Sequence, residues 1–166
     1  NNMLKLFASL YLFLTAASAI GVLILGTAVA PIIFHSETVA GVKLLARYDA
    51  GLLMSEIFAR FNYILLVTAA LIVAFEGFLA VNKKNTKVMI FFSAANLIEI
   101  LLYVFYFTPK ILSYQALGEA ATKTEEFGMV HKMAEMDFKF LLFTLIMSFF
   151  IRCSTLLSDK LATELK

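Results

Sequence analysis

Apolar residues gather along this chain in four blocks, each long enough to cross a hydrocarbon core as a helix, and most polar residues fall between them. The blocks lie at about 6–34, 58–81, 88–108 and 137–157. This pattern predicts an all-α integral membrane protein. A single four-helix transmembrane domain would occupy 1–166, with amphipathic helices capping its outer side. As a helix, the first block is roughly 43 Å long against a core of about 30 Å, so it must tilt, protrude or break. The stretch "GTAVAPIIFH" at 26–35 offers the place. Pro31 has no N–H, so the Thr27 carbonyl loses its helical partner and must meet protein, a hydroxyl or water. Pro31 is therefore expected to end or bend span one and direct His35 across the bundle's outer mouth.

On a helical wheel Ala17, Gly21 and Ala28 share a narrow arc, and Thr15, Ala19, Gly26 and Ala30 share another nearly opposite. Small residues let helices approach closely in lipid, so Gly21 and Gly26 are expected packing positions. Ala17-Ser18-Ala19 after Lys5 resembles a signal cleavage site, but the apolar run continues to Phe34, and a retained span is expected. Met3 reads as a natural start, which sets Asn1 and Asn2 aside.

The polar segments add topology. In 35–57, Leu44, Leu45, Tyr48 and Leu52 form one apolar face, with Lys43, Arg47 and Asp49 elsewhere. This predicts an amphipathic helix at the interface or running into span two. "NKKNTK" at 82–87 holds three lysines and no acid. Pro109 should close span three, and Thr122 with Glu125 forms a candidate capping box for a short helix from about 123. Span four follows, then the polar tail "SDKLATELK". Four spans put both termini on one side, and the lysine loop argues that this side is cytoplasmic.

Composition agrees. Of 166 residues, 61% are hydrophobic and 16% charged, against roughly a quarter charged in soluble domains. A net charge of +2 and the lack of a Gly-rich phosphate loop argue against a nucleic-acid partner. Cys153 is the one cysteine, so no intrachain disulfide can form, and it is expected to be packed near the inner interface.

Among chemistry-bearing residues Glu99 stands out, roughly 16 Å from the inner end of span three, with Asn96 one turn earlier. An ionisable group at that depth is a functional hypothesis by default. Ser18, Thr68 and Thr144 lie at matching depth. Two readings stay open: a carboxyl tying helices together, or a proton-relay or polar substrate site. Glu76 is shallower, about 7 Å from the inner end, and is expected to anchor toward Lys83, Lys84 or Lys87. Thr144, Ser148 and Arg152 share one helix face. They should face neighbouring helices, with Arg152 reaching the inner headgroups; a polar path is the alternative. Arg60 can pair with Glu56 on its own helix, or with Glu135 or Asp137 as a staple between spans, the simpler reading.

"GMVHKMAEM" at 128–136 offers soft ligands, and His35, His131, Met129 and Met133 form a candidate copper(I) set. The spacing argues instead for Met129, Met133 and Met136 as a packing stripe with His131 turned away. No cofactor is predicted, with copper the open alternative. Neither a nucleophile motif nor a bis-His span arrangement appears, and no enzyme activity is expected.

"GTAVAPIIF" at 26–34, "DAGLLMSEIFARFNYI" at 49–64 and "LGEAATKTEEFGMVHKMAE" at 117–135 together resemble a bacterial four-span family of unknown function. That family is similar to the transmembrane-protein-205 type of eukaryotes. The resemblance implies a four-helix protein of a bacterial inner membrane and no settled reaction. It also implies Gly26, Ala30, Pro31, Phe34, Ala50, Gly51, Phe58 and Arg60 as family positions. Association of eukaryotic relatives with platinum-drug tolerance, and a likeness to copper-resistance membrane domains, raise the metal alternative. The expected function is a non-catalytic accessory or scaffold bundle, self-associating or packed in a larger membrane complex within the lipid bilayer. The alternative is a transporter or sensor of a metal ion or small solute, using Glu99, Asn96 and the outer-mouth residues.

Overall fold

The computed structural model describes the backbone of residues 2–164 and the side chains of residues 2–158. Asn1 and the side chains of the polar tail beyond Ser158 lie outside the described residues. In chain order the helices are α1 (Asn2–Phe34), a short α2 (Glu37–Ala40), α3 (Arg47–Val81), α4 (Lys87–Ala116) and α5 (Glu125–Glu164). One 3₁₀ turn, Ala121–Lys123, precedes α5, and no strand occurs among the described residues. Four helices, α1, α3, α4 and α5, are long and apolar enough to cross a membrane, the arrangement of a multi-pass membrane protein.

α1 packs on α3 and α5, and α4 packs on the same two. The chain thus runs up, down, up and down around a square, and α3 faces α5 across one diagonal. Leu65, Ile72, Ile100, Leu141 and Leu145 fill the interior, while Phe13, Val67, Phe91, Phe105 and Phe150 face outward. In water each outward ring would cost about 25 cal/mol per Å² left exposed; against acyl chains that cost vanishes.

The two prolines do not end their helices. Each sits two residues beyond a π turn, Leu25–Val29 before Pro31 and Tyr103–Phe107 before Pro109. The wider turn carries the hydrogen-bond ladder around the missing proline N–H. α1 continues for one more turn to Phe34, where the His35 N–H closes on the Pro31 carbonyl at 2.9 Å. α4 continues to Ala116, so Pro109 does not close span three.

The first π turn also corrects the wheel. Its wider loop rotates everything downstream of Leu25 off the 3.6-residue phase. Gly26 and Ala28 consequently face outward, and a Cβ on Gly26 would meet nothing within 4 Å. Gly21, upstream of the turn, keeps its place. The Phe61 ring of α3 is pressed against it, and an added Cβ would lie 2.5 Å from that ring.

The polar end opposite the lysine loop is built from extensions of the spanning helices together with α2. Residues 47–57 run straight into span two, whereas Leu44 and Leu45 precede the helix. No separate short helix starts near 123, because α5 is continuous from Glu125. Its cap is Thr124, whose Oγ1 accepts from the Phe127 N–H at 3.3 Å. Thr124 has the extended backbone that a cap needs, whereas Thr122 sits in the 3₁₀ turn with its hydroxyl donating to the Glu119 carbonyl. At the lysine loop α3 closes with Lys83 in the left-handed region (φ 55°) and the Lys84 N–H on the Leu79 carbonyl at 2.8 Å. Thr86 then caps α4 through the Met89 N–H.

The two glycines should separate on substitution. Gly21→Ala is expected to lower stability by about 1–3 kcal/mol through overpacking against Phe61. Gly26→Ala should stay within about 0.5 kcal/mol. Reversible unfolding in mixed micelles measures both; equal effects would contradict this packing.

Candidate functional site

Glu76 falls on the buried face of α3, one residue after Phe75 and one turn beyond Ile72. Arg152 falls on the buried face of α5 and is 2% exposed. Their helices stand on opposite corners, so the pair crosses the bundle interior. Arg152 Nε donates to Glu76 Oε1 at 3.2 Å, and Nη2 donates to Glu76 Oε2 and to Asn85 Oδ1. Asn85, from the lysine loop, returns its Nδ2 to Glu76 Oε2 at 2.7 Å. The guanidinium carbon lies 5.7 Å from the Phe75 ring centre, and that ring packs on Tyr11 at 4.7 Å. Two charges out of water are tolerated only with such geometry and added hydrogen bonds.

This corrects two expectations. Glu76 does not reach Lys83, Lys84 or Lys87, and Arg152 does not reach headgroups. Depth along a helix suggested an interface role; the direction each side chain faces turned both inward.

From this pair a line of polar side chains follows the α4–α5 seam. α4 contributes Ser93, Asn96, Glu99 and Tyr103; α5 contributes Arg152, Ser148, Thr144 and Asp137. Asn96 Nδ2 donates to Ser148 Oγ at 2.7 Å. Thr144 Oγ1 donates to Glu99 Oε2 at 2.6 Å. Glu99 and Asp137 are both half-buried. Ser18 and Thr68 bond to each other at 2.7 Å between α1 and α3, so they do not join Glu99. Asn62 ties α3 to α4 through Thr108 at 3.0 Å.

Two buried polar atoms in this region lack a hydrogen-bond partner, Asn96 Oδ1 and Asp137 Oδ2. The Tyr11 hydroxyl stands against the Glu76 carboxylate and the Ser93 hydroxyl, in hydrogen-bonding interaction with both. Sequence reasoning missed Tyr11 and Asn85. A signal for Tyr11 existed, since it precedes Ser18 by two helical turns and so shares its face.

At the far end the candidates stay apart. Arg60 pairs with Glu56 at 2.7 Å within α3, both side chains mostly exposed, and makes no staple between spans. Glu135 pairs with Lys139. His35 lies 3.5 Å from Glu37, and His131 stacks on Phe127. Met129, Met133 and Met136 are 61%, 53% and 51% exposed, so the stripe is not core packing. The buried face of that stretch belongs to Ala134 and Phe138. Among the described residues no group of three His, Cys, Asp or Glu is placed to hold a metal. Cys153 is half-buried and free.

A family model described as a domain of unknown function, DUF4149, matches residues 12–120. No curated protein and no solved structure matches the chain. The matched segment takes in most of α1 and all of α3 and α4, and stops before α5, which carries Arg152, Ser148 and Thr144.

Breaking the diagonal pair should be far worse than removing it. Arg152→Ala is expected to cost about 3–5 kcal/mol, while Glu76→Leu with Arg152→Met recovers most of that loss. Unfolding in mixed micelles gives both values, and a mild Arg152→Ala would show that the pair carries little.

Proposed function

The chain belongs to the DUF4149 domain family, and we propose that this member is a non-catalytic accessory or scaffold bundle of a bacterial inner membrane. The observation that carries this reading is apolar surface left uncovered outside the hydrocarbon-crossing blocks. Val39, Val42, Leu44, Leu117, Met129 and Met133 are all exposed at the far end. They lie beyond the four apolar blocks of the sequence, and exposed apolar surface rimmed by polar residues marks a protein contact. Flexible methionines suit a surface that adapts to a partner.

The interior supports the same reading. Polar ties join α1 to α3, α3 to α4, α4 to α5 and α3 to α5 across the diagonal. A bundle tied on so many sides favours a fixed shape over alternating access. The lysine loop supports cytoplasmic termini. Kinship with the transmembrane-protein-205 type, resting on the patterns at 26–34 and 49–64, belongs to the same proposal. The transporter or sensor alternative would draw on Glu99 and Asn96; its far-end metal set lacks a converging geometry.

Native mass measurement of the protein released directly from membranes tests this. A homo-oligomer or a complex of fixed stoichiometry is expected, weakened when Met129 and Met133 are both changed to Glu. A lone monomer, with copper bound near one per chain by elemental analysis, would reverse the ranking.

A further inference from the structure

α5 spans 40 residues, roughly 60 Å, twice what a hydrocarbon core of about 30 Å requires. Its outward face carries one unbroken apolar stripe: Met129, Met133, Met136, Phe140, Phe143 and Phe150, each more than half exposed. Half-buried Met147 fills the place before Phe150. The spacing alternates four and three, the repeat by which one helix seats along another. Inside the core a lipid-facing stripe can share that repeat, so the far end decides what covers it. Counted from Asp137, where the apolar block starts, Met133 and Met129 stand about 6 and 12 Å beyond, whereas the headgroup layer adds only about 5–7 Å per side. On α3 the outward face turns charged at this end, with Glu56 and Arg60. On α5 it stays apolar through Met129, so its cover must rise out of the bilayer to the same height.

We propose that this stripe is a homodimer seam, with the α5 of a second copy of this chain lying parallel along it from Met129 to Phe150. The proposal rests on the accessory reading above and names its partner. A covering helix must cross the membrane and keep one face apolar for about two turns more, and α5 itself has that length and that face. α5 occupies a corner of the square, so the stripe points away from the other three spans. Copies inserted in one orientation are parallel, and a two-fold axis along the membrane normal sets each stripe residue against itself. The flanks are complementary in charge. Lys132 precedes Met133 and Asp137 follows Met136, so they border the stripe on opposite sides. Neither enters an ion pair within its own chain among the described residues. In a parallel pair opposite flanks meet, which brings Lys132 beside Asp137 of the second copy, twice by symmetry.

The test is disulfide cross-linking of the full chain in its membrane, in a Cys153→Ser background. Met133→Cys, Phe140→Cys and Phe143→Cys should each form a covalent dimer under mild oxidant roughly tenfold faster than Val67→Cys on α3 or Phe91→Cys on α4, because a shared seam raises the effective concentration of the two thiols. Equal rates at all five positions, the signature of lipid-covered faces meeting by chance, overturn the proposal. So does linkage of a Met133→Cys chain to a Phe150→Cys chain in preference to its own kind, which marks an antiparallel pair. The charge contact has its own readout: Lys132→Asp should weaken dimerisation several-fold, measured by energy transfer between labelled copies, and Lys132→Asp with Asp137→Lys should restore it. The two readings fail separately. A complex with a different protein, seen by native mass without cross-linking along the stripe, overturns the second copy and leaves the accessory role standing; a lone monomer overturns both.

Discussion

The bundle depends on one buried ion pair laid across its diagonal. Glu76 and Arg152 come from helices that are not neighbours, so their bond fixes the separation of opposite corners and, through them, of the other two. In lipid there is little hydrophobic drive to bring helices together, and shape, small residues and polar contacts must do it. A charge left without its partner in that interior is strongly unfavourable, so arrangements that misplace either helix are selected against. The loop residue Asn85 bonds both members and therefore reports whether α3 and α4 have closed correctly.

Above this level the interior changes character. Phe58 and Phe61 meet Phe138 across the same diagonal, with centroids at 5.1 and 6.3 Å. Rings thus span the far half and charges span the lysine-loop half. Between them the Asn96–Ser148 and Thr144–Glu99 bonds hold α4 against α5 at successive turns. The register of those two helices is set twice over, once by each bond, and a one-residue slip would break both.

Four spans and their order were legible in the sequence because lipid imposes a simple demand: long apolar helices with polar links. The face shared by Thr144, Ser148 and Arg152 was legible too, since four-residue spacing is a local property. What they face was not. Glu76 and Arg152 lie 76 positions apart, and only the packing of the square shows that they meet. Gly26 was misplaced for a different reason: a π turn leaves no mark in the hydrophobic pattern, yet it shifts every later position on the wheel. Pro31 and Pro109 hinted at such turns, but a proline read alone suggests a terminus. The exposure of Met129, Met133 and Met136 was hidden because methionine suits a core and a contact surface equally well.

The paired π turns set the two ends of the molecule apart. Both interrupt helices at the same end, Leu25–Val29 in α1 and Tyr103–Phe107 in α4, and these two helices occupy opposite corners. A widened turn re-aims the helix beyond it relative to regular α-helix. The lysine-loop end is held by charges and the other end by the Asn62–Thr108 bond and the Phe58–Phe138 rings, with the two redirected helices on opposite corners. The two π turns thus let proline enter both helices without opening the bundle beyond it, since each helix runs on past its proline to Phe34 and to Ala116.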